Sequence, residues 1–298
     1  MYSQEITRKH RTAIVIAVDQ SLSMRELICS ECGYTVSKAD SVAYAVNSVI
    51  SELVARATRD GEVRNYYDIA VVGYASPTTE SDLDCGCGIK YLLDGRRKFM
   101  PVDALAGLQP PVKRFVQRRM TVDGEILISE EEMPAWIDAC AYGKTPMFEV
   151  FSEIRELLSG WCANPVNAGS FPPVVINITD GEVSDCNPSE LIDITRRIRS
   201  LGTDDGNVLL MNIHITSKPS PVSLLFPTAG ELDGSDRYAM LLADCSSRMP
   251  EAFNSWIDES RGLKNGGGAP YWAMGYNTSP EGMFAMLNIG SRSVTGLH

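Results

Sequence analysis

Residues 13–24 read Ala-Ile-Val-Ile-Ala-Val-Asp-Gln-Ser-Leu-Ser-Met. An unbroken apolar run gives way at once to Asp19, Ser21 and Ser23. A run without alternation is a strand buried on both faces, as in a parallel sheet covered by helices. The polar triplet then falls at the strand's C-terminal end, where open α/β sheets place ligands. One carboxylate and two hydroxyls at alternate positions can turn three oxygens toward one point. Hard cations such as Mg²⁺ prefer oxygen ligands, so the triplet is a candidate metal site. The plainer reading is a strand end and a polar turn, with Ser or Asp capping a helix.

The rest of the chain keeps the same rhythm. Ser37-Lys38-Ala39-Asp40 starts a helix with Ser37 as N-cap, and Val42, Val46, Val49, Ile50 and Leu53 mark its apolar face. Tyr67 to Ala75 is a second buried strand, so strand, helix and strand form a parallel βαβ unit. Residues from about 76 to 134 read as an elaborated edge insertion. It holds two short β-like runs, Lys113 to Val122 and Glu125 to Ile128, joined by the hairpin signal Asp123-Gly124. Glu130-Glu131-Glu132 reads as a solvated turn.

Alternation resumes with a helix from Pro146 and a strand at Val174 to Thr179. Asn187-Pro188-Ser189-Glu190 opens a capped helix, followed by a strand at Asn207 to Thr216. Residues from about 217 to 248 read as a long loop, then a helix near 250–263, a strand near 271–276 and a last helix from Pro280. This is a single doubly wound α/β domain over 1–298, mainly parallel, with helices on both faces.

Two further stretches fall at strand or helix ends: Gly143-Lys144-Thr145-Pro146-Met147 and Ile178-Thr179-Asp180-Gly181. With Asp-x-Ser-x-Ser at 19–23, they come in the order of a metal-ion-dependent adhesion site (MIDAS). On these residues the chain resembles the von Willebrand factor A (vWA) family across nearly its full length. The resemblance implies the same α/β fold, with one antiparallel edge strand. It implies direct hydroxyl ligands from Ser21, Ser23 and Thr145, and Asp19 and Asp180 bound directly or through water. The ion would be Mg²⁺, or Mn²⁺ or Ca²⁺, with a position left for an Asp or Glu of a protein partner. Leu22 departs from the glycine common in the family and would set a bulky apolar side chain beside the ion. The chain looks like the bacterial intracellular stand-alone (TerY-like) type, which suggests signalling or stress defence. An adaptor of a MoxR-type AAA+ ATPase is the alternative within binding functions, and a metal-dependent hydrolase the alternative of another class.

Composition narrows the classes. A net charge of −11 disfavours nucleic acid, which needs a basic face. The basic residues Arg96, Arg97, Lys98, Lys113, Arg114, Arg118 and Arg119 read as a solvated side of the insertion. No apolar run reaches the roughly 18 residues of a membrane helix. Residues 1–11 lack the apolar core of a signal peptide, so a cytoplasmic location is expected. Catalysis is not expected. Of three histidines, His10 and His298 lie near the ends and His214 lies in a strand, read as a packed core residue. Cys29-Ser-Glu-Cys32 and Cys85-Gly-Cys87 are paired closely enough to suggest a Zn²⁺ site, against a reading as free thiols. Cys140, Cys162, Cys186 and Cys245 are scattered and read as inert.

Overall fold

The computed structural model describes residues 2–29, 35–78, 88–95, 97–120, 126–181, 183–216, 223–232, 236–263 and 270–290. The central sheet contains β1 (Thr12–Asp19), β2 (Tyr67–Ala75), β3 (Gly88–Tyr91), β4 (Val174–Thr179), β5 (Leu209–Ile215), β6 (Leu224–Leu225) and β7 (Met274–Thr278). Their spatial order is β6-β7-β5-β4-β1-β2-β3. The five strands from β7 to β2 run parallel, while β3 and β6 close the two edges antiparallel. The resemblance implied one such edge; the chain has two, and Met100–Pro101 adds a further antiparallel pairing on β2.

Every residue of β1 is buried, because its two faces serve two cores. Ile14, Ile16 and Val18 pack with α1 (Lys38–Ala57), while Ala13, Val15 and Ala17 pack with α2 (Met147–Cys162) and α3 (Pro188–Arg199). The apolar stripe of α1, from Val42 to Leu53, is fully buried. Each such side chain contributes about 1.5–3 kcal/mol of burial. The helices start where the caps predict. Ser37 accepts the Asp40 N–H, and Asn187 and Glu190 form a reciprocal capping box.

Strand order reverses at β1. The chain steps from β1 to β2 on one side and later to β4 and β5 on the other. The crevice beyond the ends of β1 and β4 is therefore the topological switch point of the sheet.

Three expected stretches differ. The long loop at 217–248 contains β6 and a helix, α4 (Arg237–Cys245). Asp236 caps that helix by accepting the Tyr238 and Ala239 N–H groups at 3.1 and 3.0 Å, and Ala239, Leu242 and Ala243 are buried. A Ser/Gly/Asp-rich approach masked this short amphipathic segment. Second, Glu130-Glu131-Glu132 is not a turn but part of the strand Ile126–Pro134, paired with Val112–Met120. Arg114 meets Glu130 and Glu132 at 3.2 and 3.5 Å, and the Tyr44 hydroxyl donates to Glu131 at 3.0 Å. These cross-strand and helix contacts hold a charged run extended. Third, the late helix is a short 3-10 turn, Glu251–Phe253, followed by α5 (Asn254–Ser260), and α6 (Pro280–Gly290) comes last among the described elements.

The segment that follows the strand Ile126–Pro134 is tied to α1 through Asn47, which is fully buried. Its amide oxygen accepts the Trp136 and Ile137 N–H groups at 2.8 and 3.1 Å, and its amide nitrogen donates to the Ile137 carbonyl at 3.0 Å. Asn47→Ala strands three buried polar groups at once. It should lower the unfolding free energy by about 3 kcal/mol in urea titrations; a loss under about 1 kcal/mol would show that this anchor is dispensable.

Candidate functional site

Asp19 ends β1 and Asp180 follows β4, so parallel pairing alone brings two carboxylates side by side. Both are buried: Asp19 is 0% exposed and so is the Asp180 side chain. Asp19 uses both oxygens locally. Oδ1 accepts the Ser21 N–H at 2.8 Å and Oδ2 accepts the Thr179 hydroxyl at 2.7 Å. Burial pushes the Asp19 pKa up to about 6, against the lowering effect of the Thr179 and Ser21 hydrogen bonds.

The hydroxyls complete the cluster. Ser21 Oγ and Ser23 Oγ lie 3.1 Å apart, and Ser23 donates to Asp180 Oδ1 at 2.7 Å. Neither Ser21 nor Thr145 is spent on a helix. The 3-10 turn Leu22–Arg25 has no side-chain cap from Ser21. The N-cap of α2 is Pro146, and the helix's free N–H groups at Phe148 and Glu149 go instead to the Asp185 carboxylate, at 3.1 and 2.9 Å. Ser184 fixes the Thr145 backbone by donating from its N–H and its hydroxyl to the Thr145 carbonyl, at 3.1 and 2.8 Å. The capping reading is thereby set aside for Ser21, and Thr145 does not cap α2 either. Above the cluster stands Gly181. A β-carbon there would touch Thr145 Oγ1 at 3.4 Å and Ser23 Oγ at 3.8 Å, so both hydroxyls border one small space.

All five expected residues thus meet at the switch point. Neighbouring oxygens at 2.7–3.1 Å match the roughly 3 Å edge of an octahedron with bonds of about 2.1 Å. The donor set is hydroxyl-rich, with only two carboxylates. Accordingly, no group of three or more His, Cys, Asp or Glu able to hold a metal occurs among the described residues. Such a set suits a hard cation and not zinc. The zinc reading falls on Cys32, Cys85, Cys87 and the Cys29 side chain, which lie outside the described residues. Cys140, Cys162, Cys186 and Cys245 form no disulfide, and burial pushes the last three up to about 11.

Several site residues were not expected. Lys38 is 4% exposed and spans Asp180 Oδ2, at 2.7 Å, and Glu26 Oε2, at 2.8 Å. Burial opposes its charge, but the bonds to Asp180 and Glu26 raise its pKa overall. A cleft of about 730 Å³ adjoins Asp180, lined by Gly181, His214, Asp236, Arg237, Tyr238 and Tyr276. His214 faces this cleft instead of the core. The register of β5 against β7 shifts between Ile213 and Ile215, and Asn277 takes a left-handed φ of 51° beside it. Such a bulge re-aims a side chain. His214 stacks on Tyr276 at 4.9 Å, and its Nδ1 accepts the Asn277 N–H at 3.3 Å. Burial lowers its pKa to about 4, so the ring is neutral at pH 7. The Tyr238 hydroxyl donates to the Gly181 carbonyl at 2.5 Å, tying α4 to the site.

No protein-family model matches the chain, and no curated protein matches it. Among solved structures, it is similar to a von Willebrand factor type A protein from Catenulispora acidiphila, at 13% identity and a TM-score of 0.38, covering 78% of this chain and 37% of that one. It is similar also to proximal thread matrix protein 1 from the mussel byssus, at 12% identity and a TM-score of 0.39, covering 80% of this chain and 42% of that one. A third is an uncharacterized membrane spanning protein from Vibrio fischeri, at 12% identity and a TM-score of 0.26, covering 69% of this chain and 71% of that one. The chain thus spans less than half the length of the first two. Among the described residues, no helix is long and apolar enough to cross a membrane.

The raised pKa of Asp19 has a measurable cost. A carboxyl whose folded pKa, about 6, exceeds its unfolded value destabilises the fold as pH rises above that unfolded value. Asp19→Asn removes the charge, and its amide can still accept from Ser21 N–H and donate to Thr179 Oγ1. In metal-free buffer at pH 7 the variant should be more stable by about 1–3 kcal/mol, with the gain vanishing toward pH 4. Calorimetry showing Asp19→Asn less stable at pH 7 would contradict the site's electrostatics.

Proposed function

We propose that this chain is a metal-dependent protein-binding module of the vWA type. Asp19, Ser21, Ser23, Thr145 and Asp180 would hold Mg²⁺, or Mn²⁺ or Ca²⁺, and a partner's Asp or Glu would complete the coordination. The observation that carries this reading is the convergence of three hydroxyls and two buried carboxylates at the switch point, with the helix-capping work done by other residues. Hydroxyl ligands add no charge, so the ion keeps its pull on an incoming anion. When bound, the ion supplies a Lewis-acidic anchor; everything else is positioning by the chain. Ser184 and Asp185 hold Thr145, Thr179 holds Asp19, and Lys38 holds Asp180.

Binding rather than catalysis fits the surroundings. His214, which lines the cleft beside Asp180, has Nδ1 occupied and is held neutral by burial, which suits a wall of the cleft better than a proton shuttle. Leu22 is 53% exposed at the rim and offers an apolar contact to the partner around its carboxylate. The resemblance read from its motifs, to bacterial intracellular vWA proteins, suggests a place in signalling or stress defence.

Millimolar Mg²⁺ or Mn²⁺ should raise the Tm of the wild type, by an amount equivalent to about 2.7 kcal/mol at a hundred times Kd. Asp180→Ala and Ser23→Ala should abolish that response. If none of Mg²⁺, Mn²⁺ and Ca²⁺ moves the wild-type Tm, the reading fails.

Leu22→Ala separates partner from metal. It should leave the Mg²⁺-induced Tm shift intact while weakening capture of an EDTA-sensitive partner by roughly tenfold, as loss of an apolar interface contact does. Capture by Leu22→Ala at wild-type strength would remove Leu22 from the interface.

A further inference from the structure

We propose that Lys38 is a tethered counter-ion that divides the site's affinity between the divalent ion and the incoming carboxylate, weakening the first and strengthening the second. The proposal rests on the reading of the site as a metal-dependent carboxylate receptor and assigns what regulates it.

Lys38 sits where a lysine is electrostatically out of place. It is the first residue of α1, and a helix N-terminus favours anions. Its side chain is 4% exposed, and an unpaired ammonium there would lose its hydration without return. The position is nonetheless closely built. The Lys38 N–H donates to the Glu26 carbonyl at 3.0 Å, while its Nζ reaches Glu26 Oε2 at 2.8 Å and Asp180 Oδ2 at 2.7 Å. The ammonium is thus held against the back of a carboxylate whose other oxygen faces Ser23.

Charge counting gives the consequence. A divalent cation between Asp19 and Asp180 would make a neutral cluster, and an arriving carboxylate would then make it negative inside the protein. With Lys38 in place the loaded cluster carries a net positive charge, and the carboxylate cancels it. Glu26 does not erase the effect, because its side chain is 53% exposed and its charge is screened by water. One fixed cation therefore opposes the metal and favours the anion. A side chain that only filled the core, without a charge, would not move the two affinities in opposite directions.

The test uses the full chain with Mn²⁺ alone, followed by water-proton relaxation, and then acetate as the carboxylate probe that displaces manganese-bound water. Lys38→Met should bind Mn²⁺ at least about tenfold more tightly than wild type, yet need at least about tenfold more acetate to lower the relaxivity. Glu26→Gln, at a half-exposed residue, should shift both constants the other way by a few-fold. Parallel changes in the two constants, or no change in either variant, would overturn the role of Lys38 while leaving the metal site standing. A wild type that binds Mn²⁺ no better than Asp180→Ala would overturn the proposal together with the metal reading.

Discussion

Two carboxylates out of water at the end of adjacent parallel strands are the constraint around which this molecule is built. Asp19 and Asp180 have no exposed side-chain surface, and an isolated buried carboxylate costs several kcal/mol. Each local feature of the site answers that cost. The Ser21 N–H and the Thr179 hydroxyl serve Asp19; Ser23 and Lys38 serve Asp180. The compensation is incomplete at Asp19, whose pKa burial has raised to about 6. In the proposed function a cation would complete that compensation.

The same loops that satisfy the carboxylates also pre-position the hydroxyls. Ser184 and Asp185, just beyond Asp180, grip the backbone of Thr145 and the start of α2. Tyr238 reaches from α4 to Gly181, and the bulge at His214 brings two aromatic strands' rings to the adjoining cleft. Beneath the site a buried polar thread runs from Tyr74 to Asn177, Asn212 and Ser246, with links of 2.8, 3.1 and 3.0 Å. Fully satisfied networks of this kind hold one packing arrangement. Little ordering would then remain to be done for the proposed ligand, which is how pre-organisation raises affinity.

The sheet was legible because β1, β2, β4 and β5 are mostly apolar with no alternation, the pattern of strands covered on both faces. Asp19, Ser21 and Ser23 stood out as the polar end of an apolar strand, whereas Thr145 and Asp180 were expected from the resemblance to the adhesion-site pattern. What stayed hidden depends on distance in sequence. Lys38 reads as an ordinary first-turn residue beside its cap, and nothing local shows that Asp180 lies against it. Asp185 caps a helix 36 residues or more before it, which no capping rule within a helix can find. His214 sits in an apolar strand, and the bulge that turns it to the cleft arises from pairing with β7, remote in the chain. Helix α4 was lost because its apolar stripe is short and its approach is rich in turn-formers.

The most direct measurement is anomalous diffraction from crystals of the wild-type protein soaked in Mn²⁺. One peak should stand between Ser21 Oγ, Ser23 Oγ and Thr145 Oγ1, at about 2.1–2.3 Å from the serine oxygens. Saturating Mn²⁺ that leaves this point empty, or that settles elsewhere on the surface, would contradict a cation site at the switch point.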